Sequence, residues 1–225
     1  MNFCVVNAHL PNYAELAALT TYGNRAAYCK RHNYTLKVKT DGFVMQAVHP
    51  VSWDRLVLVR DLVASGAFDW VYCCGTDTLH TNFTIRLEDR VDDNAHVIIS
   101  PDWCAPVQAD SFFIRCSAPG LAYVNDVLGQ YETYRNHPWV ENQAMIDLLP
   151  KWHNIIKILP QRMLNAYDYA LFTVKYPGQS RVAAALDYYG NDGQWQPGDF
   201  LIHWPSLDLD VRIREVKRIT PLIVQ

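Results

Sequence analysis

The stretch that decides the fold is residues 68–82, FDWVYCCGTDTLHTN. Its aromatic and apolar run ends abruptly at Gly75, Thr76 and Asp77, which are a small residue, a hydroxyl and an acid. This pattern is typical of a buried strand that delivers a carboxylate to the C-terminal edge of an α/β sheet. Residues 54–64 carry apolar side chains at helical spacing. The order helix, strand, acid therefore predicts a crossover unit in a mostly parallel sheet.

The rest of the chain alternates between strand and helix patterns, without an internal repeat or a linker. Residues 165–176 fit either state, and residues 190–199 are rich in turn-forming residues. At 225 residues the chain fits one large α/β domain, residues 1–225. Strands are predicted at residues 3–6, 34–39, 95–100, 111–115, 155–159 and 200–204, the last with His203 pointing outward. Helices are predicted at residues 13–32 with an interruption near Gly23, and at 53–64, 119–134, 138–149 and 209–216.

The composition excludes some classes of protein. Half of the residues are hydrophobic and the net charge is only -3, so nothing requires a nucleic-acid partner. No apolar run approaches the roughly 20 residues that a membrane-spanning helix needs, and the N-terminus lacks a basic leader. We therefore expect a soluble, cytoplasmic chain with no membrane span. The six cysteines show no metal-ligand spacing and are expected to be free thiols in a reducing compartment.

Asp77 and His203 each follow or end a short apolar strand, far apart in sequence. One carboxylate and one imidazole, completed by water and phosphate oxygens, would suit Mn²⁺ or Mg²⁺ held jointly with a diphosphate. In the alternative interpretation, Asp77 caps a turn and His203 is an ordinary residue at a strand end. The two side chains meet only if the fold brings the two strand ends together.

Common catalytic motifs are absent from the sequence. It contains no Gly-x-Gly-x-x-Gly or Walker-type loop, no Gly-x-Ser-x-Gly elbow and no His-Glu-x-x-His. Isolated acids remain: Asp102, Asp110 and Glu141 would serve near a leaving group or, alternatively, act as caps and surface acids. Asn7 and His9 follow the first strand, where α/β sheets place ligand contacts, although a solvated loop is the other interpretation.

Seven segments in chain order carry a family resemblance. They are Asn24-Arg25 with residues 28–34, residues 53–56, 70–82, 111–115 and 142–144, Pro160-Gln161-Arg162 with Asn165, and Gly198-Asp199 with His203. Together they resemble nucleotide-sugar glycosyltransferases of the GT-A fold, in the galactosyl-, mannosyl- and xylosyltransferase group. The chain also resembles the compact glycosyltransferase domains of chlorella viruses, which lack the membrane anchor of Golgi enzymes. A virus-encoded protein is one implication.

The resemblance implies a single GT-A, Rossmann-like domain with a mixed, mainly parallel sheet flanked by helices. Residues 1–100 would bind the nucleotide, and residues 101–225 would frame the acceptor. The donor would be a UDP-sugar, the acceptor a glycan or glycoprotein, and the anomeric configuration would be retained. Mn²⁺ or Mg²⁺ would be bound by Asp77 and His203.

The resemblance also implies roles for individual residues. Asp110 or Glu141 would lie near the anomeric carbon, Gln143 would hold the sugar, and Asn142 occupies the position of the family's catalytic Asp. The residues implied on the nucleotide side are Asn7, His9, Arg55, Thr76, Asp77 and Arg162.

Two departures from the family pattern favour alternatives. Gly75 stands where the family's Asp-x-Asp motif has its first acid, and Asn142 stands where it has an aspartate. A catalytically degenerate domain that binds sugars or nucleotides therefore remains an alternative to the enzyme. A nucleotidyltransferase is a further alternative, although the Gly-rich basic loop that binds a triphosphate is absent.

Overall fold

The computed structural model describes residues 1–175 and 193–225 and is built around a six-stranded sheet in the order β2-β1-β3-β6-β5-β7. A separate ribbon pairs β4 with β8. The strands are β1 (Phe3–Ala8), β2 (Thr35–Lys39), β3 (Trp70–Cys74), β4 (Thr78–His80), β5 (Val97–Ile99), β6 (Ser111–Arg115), β7 (Ile156–Ile158) and β8 (Leu201–His203).

Helices cover both faces of the main sheet. They are α1 (Ala14–Ala17), a π-helical segment (Ala18–Arg25), α2 (Ala26–His32), α3 (Pro50–Ser65), α4 (Ala118–Gly129), α5 (Tyr131–Tyr134), α6 (Val140–Trp152), α7 (Gln161–Leu164), α8 (Tyr169–Lys175) and α9 (Leu209–Ile219). Short 3-10 helices lie at Pro11–Tyr13, Leu87–Arg90 and Thr220–Leu222.

The direction of β6 sets the architecture of the sheet. β1 runs parallel to β2 and β3, and β5 runs parallel to β7, whereas β6 is antiparallel to both of its neighbours, β3 and β5. The predicted mixed, mainly parallel sheet is therefore confirmed. One consequence matters for the site: the start of β6 lies at the same edge as the end of β3.

Apolar side chains from successive strand positions pack on opposite faces, as strand geometry requires. On one face Val71 and Ile114 pack with Trp53 of α3 and Val124 of α4. On the other face the buried cluster contains Tyr28, Tyr72, Phe113 and Phe200. All six cysteines are free thiols. The buried ones fill space in this core as small apolar groups.

Several predicted boundaries are wrong, for local physical reasons. The predicted helix 13–32 is divided, and its expected interruption near Gly23 is the π-helical segment. Helix α3 begins three residues early because Pro50 occupies its first turn, where a missing N–H costs nothing. The chain after β7 forms the short helix α7, which the sequence does not predict, and residues 119–134 form two helices. Residue 176 and residues 190–192 of the predicted segments lie outside the described residues.

The β4–β8 ribbon was not predicted. Its register pairs Thr78 with His203, and the Trp204 N–H donates to the Asp77 carbonyl at 3.0 Å. The ribbon therefore brings the chain after Asp77 directly against the end of β8. His203 is fully buried, so the prediction that it points outward is wrong. Its ring faces the sheet edge because the opposite face of β8 packs in the core.

Candidate active site

A cavity of about 1050 Å³ opens where β1 and β3 end and β6 begins. Residues that follow β1 and β3 line one side, among them His9 and Thr76. The start of α6 lines another side with Glu141, and Arg212 of α9 closes the base beside Asp77. The C-terminal edge of an α/β sheet is the usual place for a ligand site, as the sequence predicts.

Three metal-ligating side chains converge at this cavity: Asp77 and Asp110 line it, and the fully buried His203 lies against both of them. One ligand atom from each lies within 4.8 Å of the others. The His203 Nε2 is 3.5 Å from the Asp77 Oδ1 and 3.6 Å from the Asp110 Oδ2. Two carboxylates and an imidazole are ligands that Mn²⁺ and Mg²⁺ accept, so the donor set fits a divalent cation.

Asp110 joins this cluster because β6 is antiparallel to β3. The Gly75 N–H donates to the Asp110 carbonyl at 2.8 Å, which sets the two residues opposite each other. A Cβ atom at Gly75 would lie 2.6 Å from the Asp77 carboxylate and 3.1 Å from the Asp110 carboxylate. The Asp110 carboxylate thus lies where a side chain at position 75 would point, which is the place of the missing first acid.

The loop 75–78 is held in shape by the π-helical segment. Thr20 donates to the Thr76 carbonyl at 2.7 Å. The buried Arg25 donates to the Gly75 carbonyl and to the Thr78 hydroxyl, each at 2.7 Å. π-helical turns are frequent at functional sites. Here the π-helical segment directs the Thr20 and Arg25 side chains to the loop that carries Asp77.

Two arginines neutralise the acids of the cluster. Arg55 lies 2.7 Å from the Asp110 carboxylate, and Arg212 lies 3.4 Å from the Asp77 carboxylate. Burial acts to raise the pKa of Asp77, but Arg212 and His203 outweigh it and hold this pKa below its ordinary value. Asp77 is therefore ionised at neutral pH and ready to bind a cation.

Glu141 is a buried carboxyl at the start of α6. One of its oxygens is 3.4 Å from Arg55, and the other has no hydrogen-bond partner among the described residues. Burial raises the pKa of Glu141 to about 7, against the opposing effect of Arg55. The preceding Val140 has φ 34°, a strained value for a β-branched residue. Strain of this kind clusters at functional sites.

Asn142 and Asp102 also line the cavity. The Asn142 side-chain oxygen accepts a hydrogen bond from the Ala109 N–H at 2.8 Å, so this amide orients the residue before Asp110. Asp102 accepts from the Trp103 N–H at 2.6 Å. Burial raises the pKa of Asp102 to about 6, with His203 acting in the opposite direction.

The cavity includes most of the residues that the sequence singles out. His9, Arg55, Thr76, Asp77, Asp102, Asp110, Glu141 and Asn142 all line it. Asn7 is buried behind it, where its amide donates to the Cys74 carbonyl. Gln143 and Arg162 are not among its described lining residues: Gln143 bonds Asp147, and Arg162 pairs with Asp199. The structure therefore does not bring these two predicted residues to the cavity.

The structure adds two residues to the predicted site and gives Asp110 a second possible role. Arg212 lies on a helix with no sequence motif and reaches Asp77 only through packing. Asn165 was noted only within a resemblance, yet it contacts the His203 imidazole at 2.7 Å. Asp110 was assigned to catalysis, whereas its position also suits the cation. For Asp110, the available sequence signal is that an acid directly precedes an aromatic strand.

The sheet order with its antiparallel β6, together with the acidic cleft at its edge, is the arrangement of the GT-A fold. Residues 5–94 match the model of the galactosyl transferase GMA12/MNN10 family. The predicted resemblance and fold class are thereby confirmed. No curated protein sequence matches the chain at a significant level.

Solved structures share the fold at low sequence identity. A glycosyltransferase involved in glycosylation of the major capsid of PBCV-1 is 12% identical, with a TM-score of 0.72, over 97% of this chain and 100% of that one. The galactosyltransferase LgtC, solved with donor and acceptor sugar analogs, is 13% identical, with a TM-score of 0.56, over 98% and 95%. Mouse xyloside xylosyltransferase 1 is 7% identical, with a TM-score of 0.52, over 92% and 98%.

Within residues 1–175 and 193–225, no helix combines the length and the apolar character that crossing a membrane requires.

Proposed function

We propose that the chain is a metal-dependent glycosyltransferase that moves a sugar from a UDP-sugar to a glycan or glycoprotein acceptor. The convergence of Asp77, Asp110 and His203 on one cleft of a GT-A fold is the observation that supports this most directly. A divalent cation bound there would neutralise the negative charge that develops on the diphosphate leaving group. The ligands are one imidazole and two carboxylates, each offering one atom to the same space.

The size and composition of the cleft support a nucleotide-sugar donor. A volume of about 1050 Å³ is at the upper end of small-molecule sites. In the proposed arrangement, residues 1–100 hold the nucleotide through groups such as His9 and Thr76, at the ends of β1 and β3. Residues 101–225 frame the acceptor around the start of α6. Uridine is the base that the resembled galactose- and xylose-transferring enzymes use.

The arginines supply the cations that a diphosphate needs. In the proposed donor complex, Asp77 would help to hold the metal ion, and Arg212, which lies 3.4 Å from Asp77, would be available to a phosphate oxygen. Arg55 pairs with two carboxylates, those of Asp110 and Glu141, and in the proposed complex it holds both in place. The proposal assigns Asp110 to the cation, so Glu141 remains as the carboxyl that faces the transferred sugar. Retention of the anomeric configuration follows the resembled group.

The same arginine contacts favour one competing function. If Arg212 and Arg55 stay on their carboxylates, the cluster is already neutralised and needs no metal ion. The cleft would then bind a sugar or nucleotide without turnover. This alternative predicts nucleotide binding that is independent of any divalent ion.

Calorimetric titration of UDP, with and without Mn²⁺, tests the proposal. We expect UDP binding only with Mn²⁺, because the phosphates and the cluster carboxylates repel each other until a cation bridges them. Asp77→Asn and His203→Ala should each abolish the Mn²⁺-dependent part. Asp93→Asn is the matched control, since it makes the same chemical change on a side chain that is 77% exposed.

Hydrolysis of UDP-galactose and UDP-xylose in the presence of Mn²⁺ tests turnover directly. Equal UDP affinity with Mn²⁺ and with a chelator would favour the non-catalytic alternative. Failure to bind UDP or GDP under either condition would reject a nucleotide-sugar site altogether.

A further inference from the structure

We propose that Asn165 is a positioning residue that fixes the tautomer of His203, so that a lone pair on Nε2 faces Asp77 and Asp110. The proposal rests on the proposed metal site for its function, but the tautomer itself follows from hydrogen bonds between buried groups. Asn165 and His203 are both fully buried, so water does not compete for these bonds.

The orientation of the Asn165 amide follows from its neighbours. Its Nδ2 lies 3.0 Å from the Pro101 carbonyl oxygen and 2.8 Å from the Tyr167 hydroxyl. A carbonyl oxygen only accepts hydrogen bonds, so the amide atom that faces Pro101 must be the NH₂ group. The opposite orientation would set two acceptor oxygens against each other in a dry interior, which is costly. The Asn165 oxygen therefore faces His203.

The orientation of the amide determines the protonation of the imidazole. The Asn165 Oδ1 lies 2.7 Å from the His203 Nδ1 and only accepts, so Nδ1 carries the hydrogen. An imidazole that binds a cation keeps a single N–H, so the hydrogen on Nδ1 leaves Nε2 as the nitrogen that can coordinate. That Nε2 is buried, has no hydrogen-bond partner among the described residues, and faces the carboxylates of Asp77 and Asp110. The His203 Nε2 and the two carboxylates together form a ligand set for a cation.

The ring is also fixed in position by its surroundings. The His203 N–H donates to the Ala166 carbonyl at 2.8 Å, which ties the strand end to the residue after Asn165. The Tyr167 ring packs edge-on against the imidazole with centroids 5.4 Å apart. The Asn165 N–H donates to the Gln161 carbonyl at 2.7 Å. Position and tautomer are thus both set by residues 161–167, outside the ligands themselves.

Asn165→Leu removes the acceptor at nearly constant volume. The imidazole hydrogen is then free to move to Nε2, where it donates toward the carboxylates and must be displaced by any cation. Loss of an outer partner of a ligating histidine costs about 10- to 100-fold in metal affinity. We expect that loss in Asn165→Leu. Asn165→Asp keeps an oxygen facing Nδ1 and should restore the tautomer.

Long-range ¹H–¹⁵N NMR of histidine-labelled, metal-free protein measures the tautomer directly when it is recorded at a pH at which the ring carries a single hydrogen. The His203→Gln variant assigns the signal. We expect a protonated Nδ1 and an unprotonated Nε2 in wild type and Asn165→Asp, and the reverse in Asn165→Leu. Mn²⁺ affinity is then measured for each variant by electron paramagnetic resonance. Asn82→Leu is the matched control: it makes the same substitution at an amide that donates to the Gly198 carbonyl at 2.8 Å, and it should change neither quantity.

A neutral ring that carries its hydrogen on Nε2 in wild-type protein would overturn the proposal, whether or not the Leu variant folds. So would an unchanged tautomer and Mn²⁺ affinity in folded Asn165→Leu. If the wild type has the expected tautomer but does not bind Mn²⁺, the positioning of His203 stands and the proposed metal-dependent function fails.

Discussion

Glu141→Gln should stabilise the protein more at alkaline than at acidic pH. Glu141 is only 4% exposed, and its pKa is raised by burial from 4.5 to about 7. Between these two values the folded protein binds the proton that the unfolded chain has released. The stability contributed by this group therefore falls as the pH rises through that window.

The size of the effect follows from the two pKa values. With 4.5 in the unfolded chain and about 7 in the folded protein, ionisation of Glu141 lowers the free energy of unfolding by about 2.5 kcal/mol more at about pH 8 than at about pH 5. Glutamine has the shape of the neutral acid but does not ionise. Arg55 keeps its partner Asp110 in the variant, at 2.7 Å. Any constant cost of the substitution cancels when the two pH values are compared.

Urea denaturation at the two pH values measures this difference. Glu132→Gln is the control, because it makes the same change on a side chain that is 78% exposed. Its effect should stay within about 0.5 kcal/mol at both pH values. If Glu141→Gln changes stability equally at both, burial does not control this carboxyl and the reasoning is wrong.

Three further predictions concern the cleft and the core. Gly75→Ala should weaken Mn²⁺ binding about tenfold, because its Cβ would lie 2.6 Å from the Asp77 carboxylate; unchanged affinity by calorimetry would contradict the assigned ligand geometry. Arg212→Gln should weaken UDP binding without weakening Mn²⁺ binding, since it releases Asp77, whereas the exposed Arg214→Gln on the same helix should change neither. His80→Phe should reduce acid sensitivity: His80 is fully buried, neither ring nitrogen has a hydrogen-bond partner in residues 1–175 and 193–225, and burial lowers its pKa well below 6.5. Wild type should therefore lose stability as the pH falls from about 7 to about 5, whereas the variant should keep it, as urea titrations at the two pH values would show.

Local patterns in the sequence determine much of the fold. The run from Trp70 to Cys74 is apolar at every position, and such a run is stable only as a central strand covered on both faces. The acid that follows must then lie at the sheet edge, so the position of Asp77 is predictable from the sequence. The helix before the strand is equally predictable, because its apolar spacing depends on near neighbours. Pro50 moves its start, which is also a local effect.

The composition of the site is decided by tertiary structure. Asp110 becomes a neighbour of Asp77 only because β6 runs antiparallel to β3, and strand direction depends on how the whole chain crosses the sheet. Arg212 reaches the cluster from the far end of the chain. The Asn165 amide contacts His203 beside an isolated β-bridge between Ala166 and Ile202. No sequence pattern links these two segments. The spacing of residues along the chain indicates local secondary structure. These contacts depend instead on how distant elements pack, so only the folded structure reveals them.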